Sequence, residues 1–219
     1  MRDIKPLGSR VFTLKDQEKF ALFSGDFNPI HVSPLLARRL IAGECIVHGI
    51  HSFLWGLEEL AKRGVLNFRS FDIIFRNYIP LDKKVYCIFK PEENRYQIEY
   101  EGVICVDVLF EKNNSIYKPE KNIGLNLKKI ISKPQFIKQE SLRINENIEP
   151  YFSGDKSYCH KIFPLLSKTL GEGILCQIAS LSEIIGMQVP GMNSLFSKAH
   201  ISFKKSTSPP TIEIIESDL

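Results

Sequence analysis

Apolar positions recur with helical spacing in one long segment of the chain. Between residues 46 and 62 the apolar side chains fall at positions 46, 47, 50, 53, 54, 57, 60 and 61, which is the period of about 3.6 residues expected of a helix. Trp55, Gly49 and Gly56 widen this apolar surface, and charged residues gather only at the end of the segment. A helix that is apolar on most of its sides is buried. We therefore predict a long buried helix over residues 46–62.

Strand patterns follow this helix. Residues 68–78 are rich in aromatic and β-branched side chains, and residues 84–90, 95–100 and 103–111 alternate or run apolar in the manner of strands. Proline, glycine and charged residues separate these segments. Several antiparallel strands around one buried helix make an α+β arrangement, which we predict for residues 1–112.

The second half of the chain repeats parts of the first. The motif Phe-Ser-Gly-Asp occurs twice, and each aspartate is followed five residues later by a histidine, as Asp26 with His31 and Asp155 with His160. Further matches follow in the same order, which indicates a duplicated unit. We therefore predict a catalytic domain over residues 1–112, a polar, lysine-rich connector over 113–138 and a degenerate or abbreviated second unit over 139–219.

Composition excludes several classes of protein. The chain has 219 residues, of which 43% are hydrophobic and 25% charged, and a net charge of +4, values that are ordinary for a globular protein. The lysine pairs are scattered and form no basic-aromatic stripe, so nucleic acid is not an expected partner. The five cysteines include no CxxC pair, which indicates reduced, buried thiols. No apolar segment has the length of a signal core or a membrane span, so we expect a cytoplasmic protein.

Candidate chemistry lies in the loop that begins at Gly25. Asp26 and His31 are held there by a Gly/Asn/Pro-rich segment, in which Pro29 fixes one backbone angle and Asn28 can bond the backbone. A carboxylate and an imidazole that share one water molecule can activate that water and deliver a proton. Taken alone, Asp26 would be read as a turn residue.

A second motif, His48-Gly49, lies near the start of the predicted buried helix. The N-terminus of a helix presents unpaired N–H groups and partial positive charge, which stabilise a carbonyl oxygen that becomes anionic. His48 and His51 have a spacing that can bind metal, but the sequence offers no third ligand, so no metal is predicted.

Read together, the segments Ser-Gly-Asp-Phe-Asn-Pro-Ile-His at 24–31 and Ile-Val-His-Gly-Ile at 46–50 resemble the MaoC-like hydratase family. The resemblance implies a hot-dog fold, in which an antiparallel sheet wraps around a long helix, and an (R)-specific enoyl-thioester hydratase or dehydratase. It implies that Asp26 and His31 are the catalytic pair and that the Gly49 N–H is the oxyanion donor. It also places four residues at the substrate-binding surface: Asn28, Pro29, His48 and Ile50. Of these, His48 is expected to have a structural role.

The resemblance further implies a substrate and an assembly. The substrate would be a thioester of coenzyme A or of an acyl-carrier protein, with no separate cofactor. In tandem members of the family one half keeps the catalytic pair and the other supplies packing and a wall of the acyl tunnel. Here Cys176-Gln177 stands where the first half has His48-Gly49, so we interpret the second half as the non-catalytic one. The chain would form a pseudo-dimer by itself or a homodimer.

Two other functions remain open from the sequence. A hot-dog acyl thioesterase shares the fold and the helix-end carbonyl site. A non-catalytic acyl-binding partner subunit would explain the weak second copy.

Overall fold

Six strands form one antiparallel sheet in the described part of the chain. The computed structural model describes residues 5–112, 133–134, 152–188, 191 and 195–203. The strands lie side by side in the order β1-β3-β4-β5-β2-β6. Their bounds are Gly8–Val11 for β1, Phe68–Phe75 for β2, Lys84–Lys90 for β3, Arg95–Tyr100 for β4, Val103–Lys112 for β5 and Lys198–Ser202 for β6.

The sheet packs against one long helix, α4 (Gly49–Ala61), in which twelve residues after the first are all buried. The Tyr96 hydroxyl on β4 donates a hydrogen bond to the Phe53 carbonyl of α4 at 2.8 Å. A methyl group at Gly56 would overlap the Tyr96 ring, so this glycine allows the helix to approach the sheet closely. The α+β prediction and the sheet-around-helix arrangement of a hot-dog fold are thereby confirmed.

The start of α4 differs from the prediction. Residues 46–48 are not helical, because Ile46 forms a bridge with Pro80 and the Val47 N–H donates to the Ile79 carbonyl at 2.9 Å. These backbone groups are used between segments, and the first helical turn begins only at Gly49. The apolar period extends to positions 46 and 47 because both side chains are buried there as well.

Three helices precede α4 and shape the loop of interest. Helix α1 (Leu14–Ser24) begins with a capping box in which Thr13 and Asp16 satisfy each other's backbone N–H groups. It ends at Gly25, which has a left-handed φ of 85°. Two short helices follow, α2 (Pro29–Val32) and α3 (Pro34–Ala37).

The second half of the chain packs onto the first. It contains α5 (Cys159–Ile162), α6 (Pro164–Thr169) and α7 (Glu172–Glu183), which continues into a π-helical turn at 184–188. Helix α7 packs against α1 and α4. Strand β6 pairs with β2, with Ile201 opposite Phe71. The sheet therefore crosses the boundary predicted between the two units. The division at 112 and 138 stays a prediction, and residues 204–219 of the second unit lie outside the described residues.

A buried carboxylate links the two halves. Glu58 on α4 accepts hydrogen bonds from the Leu165 and Leu166 N–H groups at 3.0 and 2.9 Å. It thereby satisfies the first turn of α6, whose own N-cap residue, Phe163, provides no side-chain bond.

All five cysteines are free and buried. Within the described ranges, none of the helices has both the length and the apolar character needed to cross a membrane.

Candidate active site

The loop between α1 and α2 holds Asp26 and His31 at one place. Gly25 ends α1, and its N–H bonds the Ala21 carbonyl at 2.8 Å. Asn28 then caps α2 by accepting a hydrogen bond from the Ile30 N–H at 3.1 Å. Pro29 is the first residue of α2, and His31 lies within this short helix, five residues after Asp26.

The two side chains face each other in a buried pocket. Asp26 is 1% and His31 8% exposed. His31 Nδ1 lies 2.9 Å from the Ile46 carbonyl, which can only accept, so Nδ1 carries the proton and Nε2 keeps its lone pair. A carboxylate oxygen of Asp26 and one ring nitrogen each of His31 and His48 all lie within 4.8 Å of one another. One water molecule can bond Asp26 and His31 across such a gap.

Burial acts in opposite directions on this pair. It raises the pKa of Asp26, against the effects of the His31 charge, the Ser182 hydroxyl and the Asn28 N–H. It lowers the pKa of His31, against the effects of the Asp26 charge and the Ile46 carbonyl. At neutral pH this favours an uncharged imidazole that can accept a proton.

His48 lies behind the pair as a structural residue. Its backbone N–H and its Nδ1 both lie within 3.0 Å of Gln17 Oε1, and its Nε2 lies 3.1 Å from the Asp26 carbonyl oxygen. Its ring stacks on that of His31 with centroids 3.8 Å apart. Burial, followed by the neighbouring His31, holds the pKa of His48 well below its usual value. The side chain is therefore suited to fixing the loop against α1.

A cavity of about 300 Å³ opens in front of the pair and is lined by Asp26, His31 and Gly49 among others. Gly49 is the first residue of α4, where helical geometry leaves the backbone N–H without an intrahelical acceptor. A methyl group at Gly49 would lie only 3.0 Å from the Phe75 ring. The lining also includes two aromatic side chains, Phe75 and Phe196, whose ring centroids are 5.2 Å apart.

The second half contributes directly to the loop, which the sequence did not indicate. The Ser182 hydroxyl on α7 donates to Asp26 Oδ2 at 2.7 Å, and the Asn28 amide donates to the Gly186 carbonyl at 2.8 Å. A methyl group at Gly186 would lie 2.5 Å from Asp26 Oδ1, so this position accepts only glycine without displacing the carboxylate. The available signal was the pair of polar residues Ser182 and Glu183 at the end of a mostly apolar helix.

The residues predicted at the substrate surface lie elsewhere. None of the four lines the cavity. Asn28 and Pro29 build the turn before α2, His48 backs the pair, and Ile50 lies in the hydrophobic core.

The residues that could bind a metal ion together differ from the pair that the sequence suggested. His48 does not act with His51; it lies with Asp26 and His31, and these three offer a ligand set within the described residues. Both ring nitrogens of His48 and Nδ1 of His31 already face hydrogen-bond partners. An ion on His48 would have to displace one of these contacts.

Comparison with known proteins identifies the fold. Residues 3–108 match the sequence model of a family described as MaoC like domain. A solved MaoC-like dehydratase superimposes with a TM-score of 0.56 at 6% identity, over 90% of this chain and 79% of that one, which shows a shared fold. An (R)-hydratase from A. caviae involved in PHA biosynthesis has 19% identity, covers 51% of this chain and 100% of its own, and has a TM-score of 0.38. An R-hydratase from Pseudomonas aeruginosa has 19% identity, coverages of 53% and 88%, and a TM-score of 0.37. No curated protein matches the sequence.

Proposed function

Because residues 3–108 match the sequence model described as MaoC like domain, we propose that the protein is a hydro-lyase that interconverts a trans-2-enoyl thioester and a (3R)-hydroxyacyl thioester. The single observation that carries the proposal is the buried Asp26–His31 pair at the base of a cavity that also exposes the first residue of α4.

The residues of the pair have separate tasks in the hydration direction. His31 Nε2 takes a proton from the water molecule whose oxygen bonds to the β-carbon, while Asp26 holds that water in place. The C=C π electrons move towards the thioester carbonyl, and a proton then returns to the α-carbon. Atoms and charge balance, because one water molecule is added and the pair ends in its starting protonation state.

Gly49 stabilises the charge that develops during this step. Its N–H is the donor proposed for the carbonyl oxygen as it becomes enolate-like. The absence of a side chain leaves room for the Phe75 ring beside this backbone group. The N-terminal end of α4 adds partial positive charge at the same point.

The carrier in this proposal is coenzyme A or an acyl-carrier protein, and the phosphopantetheine arm extends out of the cavity. No metal or redox group takes part in the proposed steps. Residues of the second half, including Phe196 and Gly186, form one wall of the acyl site. We also propose that the chain acts as a pseudo-dimer of two related units, because β6 of the second half pairs with β2 of the first.

The direct test follows the enoyl absorbance of crotonyl-CoA. We expect the purified protein to remove this absorbance without releasing free thiol, and the His31→Ala variant to lose the activity. A longer enoyl chain and an acyl-carrier thioester are assayed in parallel, since the carrier is part of the proposal. Release of free thiol from acyl-CoA at a rate that depends on Asp26 would contradict a hydro-lyase and indicate a thioesterase. Full activity in His31→Ala would reject the assigned pair.

A further inference from the structure

A second buried carboxyl group lies directly behind Asp26. Glu183, in the last turn of α7, has no exposed surface, and neither of its carboxyl oxygens has a hydrogen-bond partner in the described structure. An ionised carboxylate in such a place would lose its hydration without compensation. The side chain is therefore placed where the neutral form is favoured.

Glu183 and Asp26 approach each other through Gly25. A methyl group built at Gly25 would lie 2.6 Å from Glu183 Oε2 and would also overlap the Ser153 hydroxyl. Asp26 follows Gly25 in the chain, and Ser182, which precedes Glu183 in α7, holds the Asp26 carboxylate. Two consecutive residues of α7 thus face the same short turn.

The donors around the two carboxyl groups are unequal. Asp26 accepts hydrogen bonds from the Ser182 hydroxyl and the Asn28 N–H. The hydroxyl and the N–H of Ser153 face Glu183, but neither of its carboxyl oxygens accepts a hydrogen bond of normal geometry. Two carboxyl groups that interact in a low-dielectric site do not both ionise readily, and donors decide which one carries the charge. Here the donors select Asp26.

The pKa of Glu183 agrees with this geometry. Burial raises the pKa to about 7, the neighbouring Asp26 adds to the rise, and Ser153 opposes it. Asp26 is the titratable group that acts on Glu183 among the described residues. The end of α1 presents the Gly25 backbone to Glu183, and the 152–155 loop presents the hydroxyl and the N–H of Ser153.

We propose that Glu183 is a positioning residue of this site: its protonated carboxyl group stands behind Asp26 and keeps the negative charge of the two on Asp26. The second half of the chain thereby adjusts the ionisation of the catalytic pair in the first. This inference rests on the proposed hydro-lyase function for its effect on rate, but not for its effect on protonation.

The rate test compares pH profiles of the wild type and Glu183→Gln, in which the amide imitates the protonated acid. At about pH 6 we expect the two rates to agree within roughly twofold. Above about pH 7 the wild type gains a second negative charge next to a reaction that itself develops negative charge, so its rate should fall by roughly threefold to tenfold by about pH 8.5. The Glu183→Gln rate should not fall in this range. Glu172→Gln, which removes an exposed carboxyl at the start of the same helix, should keep the wild-type profile.

The second test does not require any activity. The ordinary pKa of glutamate is 4.5 and that of folded Glu183 is about 7, so between these values the folded protein retains a proton that the unfolded chain has released. The resulting stabilisation is complete below the lower value and is lost as the pH rises through the upper one. As the pH is raised from about 5 to about 8, the midpoint temperature of thermal unfolding of the wild type should therefore fall relative to that of Glu183→Gln.

Infrared spectroscopy gives a readout on the wild type itself. With the glutamate δ-carbon isotopically labelled, a protonated carboxyl band should be present at about pH 6 and should disappear as the pH rises through about 7. Absence of this band at about pH 6, or parallel pH dependences of stability in the wild type and Glu183→Gln, would overturn the proposal. Failure of every enoyl substrate would reject the hydro-lyase function and leave these two measurements as independent tests of Glu183.

Discussion

The chain contains two loops in which an aspartate precedes a histidine by five residues, and the two loops have different surroundings. Asp26 and His31 are buried and face one cavity. Asp155 is exposed and only caps the turn after it through the Ser157 N–H, while His160 lies at the surface with Glu172. Equal spacing therefore does not produce equal sites. Helix α7 covers Asp26 in the first loop, whereas the second loop packs on α1 and leaves the side chains of Asp155 and His160 at the surface.

The helices that follow the loops also differ at their starts. Helix α4 begins at Gly49, directly after His48, so its first N–H is available at the cavity. Helix α7 begins at Glu172, and Gln177, the counterpart of Gly49, lies in its interior. The N–H of Gln177 is placed in the helical hydrogen-bond ladder. The second loop therefore has neither a buried Asp–His pair nor a helix start at the position that corresponds to Gly49.

The largest effect is expected from a substitution in the first loop, and the matching substitution in the second loop serves as its control. Asp26→Asn should lower kcat/KM for enoyl-thioester hydration by about a thousandfold, because it removes one member of the acid–base pair. Asp155→Asn should remain within about twofold of the wild type, because this exposed side chain does not line the cavity. Steady-state kinetics on both variants decide the matter; comparable losses would show that the second loop also takes part.

A substitution at Ser182 tests whether the packing of α7 over the first loop affects activity. Ser182→Ala leaves Asp26 without its hydroxyl donor, and we expect a loss of roughly tenfold in kcat, since a hydrogen bond to a charged group contributes about 1.5–3 kcal/mol. The matched control is Ser180→Ala, two residues earlier on the same helix, whose buried hydroxyl bonds the Gln177 carbonyl instead. If both variants lose the same activity, the effect belongs to the helix and not to the bond.

A smaller effect is expected in the acid limb of the pH profile. Because burial raises the pKa of Asp26 above 3.8, its carboxylate is lost at a higher pH than in an exposed aspartate, and the rate falls with it. Ser182 opposes this rise, so Ser182→Ala should move the acid limb upward by about half a unit to one unit. The measurement is a plot of log kcat/KM against pH. An acid limb that moves to lower pH in Ser182→Ala, or that does not move, would contradict the role given to Ser182.

The contact between halves at Glu58 should affect stability and not chemistry. Glu58→Ala leaves the Leu165 and Leu166 N–H groups buried without an acceptor, which should lower the free energy of unfolding by about 1–3 kcal/mol. Thermal unfolding should show a lower midpoint, with the rate at low temperature nearly unchanged. Glu92→Ala, at an exposed position, should leave the midpoint in place. An unchanged midpoint in Glu58→Ala would mean that the halves do not depend on this contact.

The smallest expected effect is that of a chelator. Asp26, His31 and His48 form a set able to hold an ion, yet the proposed steps use none. Treatment with a strong chelator followed by dialysis should therefore leave the hydration rate within experimental error of the untreated protein. A loss that added zinc or iron restores would assign the three residues to a metal instead.

The amino-acid sequence by itself determined the local parts of this protein. Apolar periodicity predicted the buried helix and the four strands from 68 to 111 because side-chain burial repeats with the backbone period. Turn-forming residues placed Asp26 and His31 on one rigid loop, since Gly25, Asn28 and Pro29 act on their own backbone. The helix start was predicted three residues early because residues 46–48 pair with distant residues 79–80, a contact that periodicity does not record.

Only the tertiary structure decided what surrounds that loop. Ser182 and Gly186 lie about 160 residues from Asp26 in the chain and contact it because α7 packs against α1 and α4. Glu183 in the same helix differs from an ordinary solvated glutamate only through its burial and its neighbour. Solvation and hydrogen bonding depend on what folds over a group, so the ionisation of the pair follows from packing between halves and not from the motif alone.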